Sequence, residues 1–463
     1  MSKDILINYL QEISEKGILD AEDADRKENL HRLFMYPAMM VPATQNAILQ
    51  AISDVVPGNS WAIDPFMGSG TSLMSCMEFG MNVYGQDINP FAVLLAKSKT
   101  CFYEIEKLQH SLQRIKKLIQ IDSSDSIDIN YYNLDKWFKK EVQISFSKIR
   151  RAIINEKNAD YRRFFWVVMS ETIRIGSNDR TTTFKLHQRS KEELAKRNVD
   201  VIKEFLNLAD RSIADLKLYS DKLTEEGHLQ DGHYNGISVI RWGNTQKDIS
   251  ADEKFDLLVS SPPYGDNLTT VTYGQTSFLP LLWIDPKDIE CPYDYVKTTS
   301  EIDRKSLGGV VNKNQLQLKV ERLCQRSSSF KSFYEAIPSD EKEKYNKTIC
   351  FINDFDECLD VIISYMKPDA YYVWTIGNRF VGGREIPNSS VLLDLMKYRG
   401  ICHIYTAERN ILNKKQACKN KSSRTMEREH ILIFHNNELW QRDSLVSARM
   451  LLDSWELSLL RIM

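Results

Sequence analysis

Two short segments of this chain carry residue types at a spacing that can do chemistry. In Ser261-Pro262-Pro263-Tyr264, consecutive prolines hold the backbone extended and remove two N–H donors, so the carbonyls must find partners elsewhere. An exocyclic amine is such a partner. Tyr264 beside it offers a flat face on which a flipped base can stack, worth about 1–3 kcal/mol. Standing alone, the tetrapeptide would also fit a rigid loop exit with a tyrosine plugging the core. The second segment is Asp64-Pro65-Phe66-Met67-Gly68-Ser69-Gly70-Thr71, in which two glycines without Cβ atoms let the backbone approach a ligand closely. A dinucleotide fingerprint would need a third glycine near the position of Leu73, and a carboxylate at Asp64 repels a pyrophosphate, so nicotinamide binding is disfavoured. A cation such as an amino-acid ammonium suits Asp64 better. Asp87 ends the next apolar run, where a carboxylate can accept hydrogen bonds from a ribose diol or cap the helix begun by Asn89-Pro90. Asn244, after Gly243, puts an amide where it can meet an adenine ring or simply make a turn.

Positioning these groups requires strands and helices in alternation. Apolar spacing over residues 44–55 predicts a helix with one buried face. After the break at Gly58-Asn59-Ser60, residues 61–64 read as a strand, residues 72–79 as a helix and residues 82–87 as a second strand, which together make a βαβ unit. Residues 104–223 read as mostly helical, with a polar interruption from 176 to 189. Strands resume at 237–242 and 255–260, the second running into Ser261, and a short turn-rich crossover between them fits a sheet covered on both faces. A polar, mixed insertion follows to about 347, then a helix at 351–366 and strands at 371–376 and 430–434. The first thirty or so residues read as a polar helical lead-in.

Composition narrows the class. The chain has 463 residues with 61 Lys+Arg against 63 Asp+Glu, a net charge of -2, which excludes binding nucleic acid by bulk charge but permits a local basic groove. At roughly 100–200 residues per domain the length fits two to four domains, or one large catalytic domain with long insertions. None of the eight cysteines forms a C-x-x-C pair or stands near a histidine at zinc-finger spacing, so neither structural zinc nor a disulfide framework is expected. No stretch reaches the roughly 18 apolar residues of a membrane span, and the start lacks a secretory pattern, so a cytoplasmic protein is expected.

These pieces together resemble the S-adenosylmethionine-dependent amino-methyltransferases of DNA, the cytosine-N4 and adenine-N6 enzymes of restriction-modification systems. The glycine turn at 64–71 is similar to their cofactor loop and Ser261-Pro262-Pro263-Tyr264 to their catalytic motif. Tyr36-Pro37-Ala38-Met39-Met40-Val41-Pro42 resembles their upstream cofactor segment, and Ile376-Gly377-Asn378-Arg379 and the run from Glu429 to Phe434 resemble their closing strands. The resemblance implies an α/β, Rossmann-like, mostly parallel mixed sheet of the methyltransferase fold with helical and mixed insertions. It implies S-adenosylmethionine held by Tyr36, Pro37, Asp64, Phe66, Gly68, Ser69, Gly70, Thr71, Asp87, Ile88 and Asn244. Ser261 and the Pro262 carbonyl would orient the amine, Pro263 would complete the rigid turn, and Tyr264 would stack. Serine at the first motif position is typical of cytosine-N4 enzymes and aspartate of adenine-N6 enzymes. In the commonest arrangement with a serine motif the catalytic motif precedes the cofactor loop; here the loop comes first.

The expected activity is therefore transfer of a methyl group to cytosine N4 at a specific site in double-stranded DNA, with adenine N6 as the alternative and guanosine N2 of RNA as a second. A non-enzymatic interaction protein is disfavoured by the completeness of loop, Asp87 and motif. No metal is expected, nor contact with a membrane; a cognate restriction endonuclease is the expected partner. Phosphate contacts are expected from Arg180, Lys185 and Arg189 in the polar interruption and from Lys414, Lys415 and Lys419 ahead of the last strand. The expected organisation is a lead-in (1–34), a cofactor half (35–100), a helical insertion (101–236), a catalytic half (237–284), a target-recognition insertion (285–348) with Arg304, Lys305, Lys313, Lys319, Arg322 and Arg326, and a closing part (349–463).

Overall fold

The apolar runs assemble into one seven-stranded sheet. Its strands are β1 (Trp61–Asp64), β2 (Asn82–Asp87), β3 (Ser238–Trp242), β4 (Phe255–Ser260), β5 (Met366–Ile376), β6 (Cys402–Asn410) and β7 (Arg428–His435). In this computed structural model residues 3–22, 29–181, 185–291, 293–411 and 426–436 are described. The strand order is β6-β7-β5-β4-β1-β2-β3. Neighbours from β3 to β5 are parallel, and β7 runs antiparallel to both β5 and β6. The order reverses between β1 and β4, so the loops leaving their carboxyl ends diverge and open a crevice. Both glycine turn and prolines therefore emerge at one edge.

Why the sheet is parallel follows from its burial. Ala62, Leu257 and Val259 face one core, together with Leu6, Leu10 and Ile13 of α1 (Lys3–Glu15), Ile48 and Leu49 of α2 (Pro42–Ile52) and Leu73 of α3 (Thr71–Met77). Ile63 and Leu258 face the opposite core, which also holds apolar residues of α11 (Asn346–Ser364) and α12 (Asn388–Tyr398). Strands covered on both sides need unbroken apolar runs, as seen here. The lead-in thus includes a helix docked on the sheet. Asp20 behind it accepts hydrogen bonds from the Asn410 backbone N (2.6 Å) and Nδ2 (2.9 Å) at the end of β6.

The helical insertion is rooted in the catalytic domain. Helices α5 (Ile105–Ile121), α6 (Lys140–Ile154), α7 (Ala159–Gly176) and α8 (Val201–Glu225) share a core with α4 (Pro90–Thr100) and α9 (Tyr273–Trp283), through Leu112, Phe146, Phe164, Phe205, Phe91 and Trp283. Asn89 caps α4 by accepting from the Phe91 N (3.1 Å), and Pro90 supplies the first turn. The mixed insertion packs through α10 (Leu316–Arg326) on α11.

Three features differ from the sequence reading. β3 and β4 share the sheet but β2 and β1 stand between them. β5 starts at Met366, five residues before the apolar run from Tyr371. β6, α9 and α12 have no counterpart among the expected elements. Among the described residues no helix is long and apolar enough to cross a membrane, and no cluster of His, Cys, Asp and Glu could hold a metal ion.

Candidate active site

A cavity opens in the crevice at the β1/β4 reversal. Its lining brings together the glycine turn (Phe66, Gly68, Ser69, Thr71), the end of β2 (Asp87, Ile88), the turn after β3 (Asn244), Tyr36 from upstream, and Ser261 with Pro263. Gly68 has φ +48°, and a Cβ there would stand 3.4 Å from Cε1 of Tyr36, so the turn accepts no ordinary side chain without strain. Its amide donates to Asp87 Oδ2 (2.9 Å), while the Asn89 amide donates to Asp87 Oδ1 (2.8 Å). Each oxygen keeps acceptor capacity for a ligand. Burial pushes the Asp87 carboxyl up to about 6. Asn89 Nδ2 also donates to the Tyr36 hydroxyl (3.0 Å) and to Ser277 Oγ (2.8 Å), tying the upstream segment to α9. The Thr245 hydroxyl donates to the Pro65 carbonyl (2.7 Å), which fixes the turn after β3 against the glycine turn.

A second, smaller cavity shares Ala38, Met39, Met40 and Ser261 with the first. Tyr264 lines it, along with Gln45 and Thr44 of α2, Thr375 of β5, Arg409 of β6 and Glu429 of β7. The Tyr264 hydroxyl donates to Glu429 Oε1 (2.9 Å) and lies 3.2 Å from Ser261 Oγ. Glu429 Oε2 accepts from Arg409 Nε (2.6 Å), its directly opposite residue across β6 and β7. Burial and the adjacent Glu429 carboxylate hold the Tyr264 phenol well above its usual range, so it stays a donor. A Cβ on Gly377 would come within 2.9 Å of the Tyr264 ring, so only glycine leaves the ring its place. Ser261 stands where the two cavities meet.

Three residues expected to hold the cofactor, Pro37, Asp64 and Gly70, do not line the larger cavity. Asp64 is 1% exposed and its carboxylate accepts from Ser260 Oγ (2.6 Å), the Phe66 amide (3.0 Å) and the Ser72 hydroxyl. It clasps β1 to β4 and α3 instead of meeting a ligand cation, and burial raises it to about 6. Gly70 (φ +78°) lies where a Cβ would stand 3.2 Å from Cβ of Ala96, so it serves the close approach of α3 and α4. Pro37 and Pro262 border neither cavity. Unanticipated wall residues are Asn267, Tyr273, Ile302, Ser306 and Leu307, and Lys305, expected in the target-recognition insertion, lines the cavity as well. Asn267 is 5% exposed and its Oδ1 has no hydrogen-bond partner, an acceptor fit for a cationic ligand group.

Residues 46–231 match the family described as D12 class N6 adenine-specific DNA methyltransferase. Over 436 residues the chain is 32% identical to Type II methyltransferase M.MvaI of Kocuria varians, covering 89% of this chain and 92% of that protein. The chain belongs to the S-adenosylmethionine-dependent DNA methyltransferases. A second relative, Type II methyltransferase M.MjaII of Methanocaldococcus jannaschii, is 24% identical over 255 residues, 53% of this chain and 44% of that one. Among solved structures, the rRNA methyltransferase aviRa from Streptomyces viridochromogenes aligns over 86% of each chain at 12% identity with a TM-score of 0.30, too low to bear on the fold.

For a DNA methyltransferase the larger cavity fits the cofactor. It offers the Asp87 carboxylate for a diol, a glycine cradle under Tyr36, the Asn244 amide at the third strand end, and the unpaired Asn267 oxygen. The expected DNA contacts divide. Arg180, Lys185 and Arg189 lie on a loop closed by the Asp179–Gln188 bridge and held to α9 by the Leu186 amide donating to Gln275 Oε1 (3.1 Å). Lys414, Lys415 and Lys419 lie outside the described residues. In the mixed insertion, Lys319 pairs with Asp354 (3.1 Å), Arg322 with Glu357 (2.5 Å) and Arg326 with Asp356 (2.8 Å), all on α11.

Proposed function

We propose that this DNA methyltransferase modifies the exocyclic N4 amine of cytosine at a specific site in double-stranded DNA, as the partner of a restriction endonuclease. The observation that carries the reading is the meeting of the two cavities at Ser261, with Tyr264 along the smaller one. S-adenosylmethionine bound in the larger cavity supplies a methyl group on a sulfonium, whose C–S bond breaks as the amine forms its N–C bond. The chain's own task is placement and tolerance of positive charge on the attacking nitrogen. The Ser261 hydroxyl accepts a hydrogen bond from the amine, orienting its lone pair, and the proton the amine loses passes to solvent. Tyr264, tethered through Glu429, gives the extruded base a fixed face. No covalent adduct to the enzyme is required. Serine as the first motif residue supports cytosine, since a neutral hydroxyl stands where adenine-N6 relatives carry a carboxylate.

Adenine N6 is the second reading, supported by the description of the family matched at residues 46–231. That match contains the glycine turn and stops before Ser261, the residue at the amine. The experiment is incubation with unmethylated mixed-sequence duplex DNA and cofactor, followed by digestion and mass identification of the modified nucleoside. N4-methylcytosine is expected; N6-methyladenine replaces the first reading by the second, and unmodified DNA removes both.

A further inference from the structure

Gln45 makes no side-chain hydrogen bond among the described residues, although it is 1% exposed and its Oε1 is buried without a partner. A buried amide left without partners is a net cost to the folded chain, so its retention calls for a ligand. It sits in the first turn of α2 and lines the smaller cavity together with Ser261, Tyr264 and Arg409. Arg409 Nε is engaged by Glu429 (2.6 Å) and Nη1 by Thr44 Oγ1 (3.2 Å), which fixes the guanidinium plane while leaving further N–H donors. Its charge is balanced by Glu429, so the cavity wall offers neutral-pair donors beside a free amide.

Resting on the cytosine reading above, we propose that Gln45 reads the Watson–Crick edge of the extruded base and that Arg409 selects cytosine over adenine. The unpartnered Gln45 Oε1 is an acceptor, so it takes an N–H of the amine held at Ser261; the next ring position is an acceptor nitrogen in either base. One position further, cytosine presents its carbonyl O2 and adenine only a C–H. A cationic fork fixed there is satisfied by the first and left unpaired by the second.

The test uses the full-length protein and unmethylated mixed-sequence duplex DNA. Gln45→Leu, close in volume, removes the amide. The expected result is a fall of roughly 10–100-fold in kcat/KM for methyl transfer, with cofactor affinity and melting temperature no lower than wild type. Arg409→Lys keeps the charge beside Glu429 but not the fork, and is expected to lower the ratio of N4-methylcytosine to N6-methyladenine formed. Unchanged kcat/KM in Gln45→Leu overturns the proposal, as does a fall in its melting temperature, which would mark a structural residue. N6-methyladenine as the sole product of the wild type overturns the role of Arg409. A wild-type protein that modifies no base is a different failure, one of the function itself.

Discussion

Tyr264 is held at both ends: its hydroxyl by Glu429 and its carbonyl by Asn388 Nδ2 (3.0 Å), which also holds the Gly377 carbonyl (2.9 Å). Its ring is therefore oriented before any base arrives, and stacking carries little further ordering cost. Tyr264→Ala is expected to lower kcat/KM for DNA by roughly 10–100-fold, the equivalent of about 1–3 kcal/mol of stacking. Cofactor affinity, measured by calorimetry, is expected to stay put because Tyr264 borders only the smaller cavity. The two turn glycines make a contrasting pair. At positive φ an alanine costs roughly 1–2 kcal/mol, so both Gly68→Ala and Gly70→Ala should lower the melting temperature. Only Gly68→Ala should also weaken cofactor binding, since Gly68 faces the Tyr36 ring in the cavity and Gly70 faces Ala96 of α4. Equal loss of affinity in both variants would show that the cradle acts only through stability.

At the scale of elements, the carboxyl ends of β1 and β2 place two acids, Asp64 and Asp87, that burial pushes up to about 6. Asp303, beside the insertion's cavity wall, is raised to about 6 by the same cause. A carboxyl raised in the folded state binds its proton more readily there than in the unfolded chain. Its contribution to stability is present at low pH and lost as pH rises through the folded value. The cofactor-free protein should therefore lose melting temperature between pH ~4 and ~6, and Asp64→Asn should flatten that slope. Cofactor affinity should move the other way, rising as Asp87 ionises and gains acceptor capacity, with Asp87→Asn abolishing the rise. β1, β2 and β4 were readable in the sequence because glycines and prolines with their own backbone rules punctuate them. The glycine turn, Asp87 and Ser261 to Tyr264 were readable for the same reason. β6 was not, since its run CHIYTAERN mixes charges with apolar residues at the sheet edge. α9 was not, since it contains Pro280. The inward turn of Asp64 depends on Ser260, 196 residues downstream, and the arrival of Asn267 and Gln45 depends on topology; no local pattern announces either.

Over the whole molecule a net charge of -2 means that any DNA-binding surface must be built by local arrangement. The two candidate surfaces differ in what their cations already do. Beside Arg180, Asp179 accepts from the backbone amides of Thr181 (2.9 Å) and His187 (2.6 Å), and both Arg180 and Lys185 are exposed. Leu186 is anchored on α9, whose Tyr273 lines the larger cavity. In the mixed insertion, Arg322 and Arg326 share Asp356, which is fully buried and also paired with Arg399 (2.8 Å), and these cations hold α10 against α11. Arg180→Ala with Arg189→Ala is therefore expected to weaken binding to duplex DNA irrespective of sequence. It should also lessen the slope of log affinity against log salt, by about 0.9 for each phosphate no longer neutralised. Cofactor binding should not change. Arg322→Ala is expected to lower the melting temperature and leave the salt slope alone, because its charge is spent within the fold. The reverse pattern, a changed slope for Arg322→Ala and none for the loop variant, would move the phosphate-binding face from the helical insertion to the mixed one.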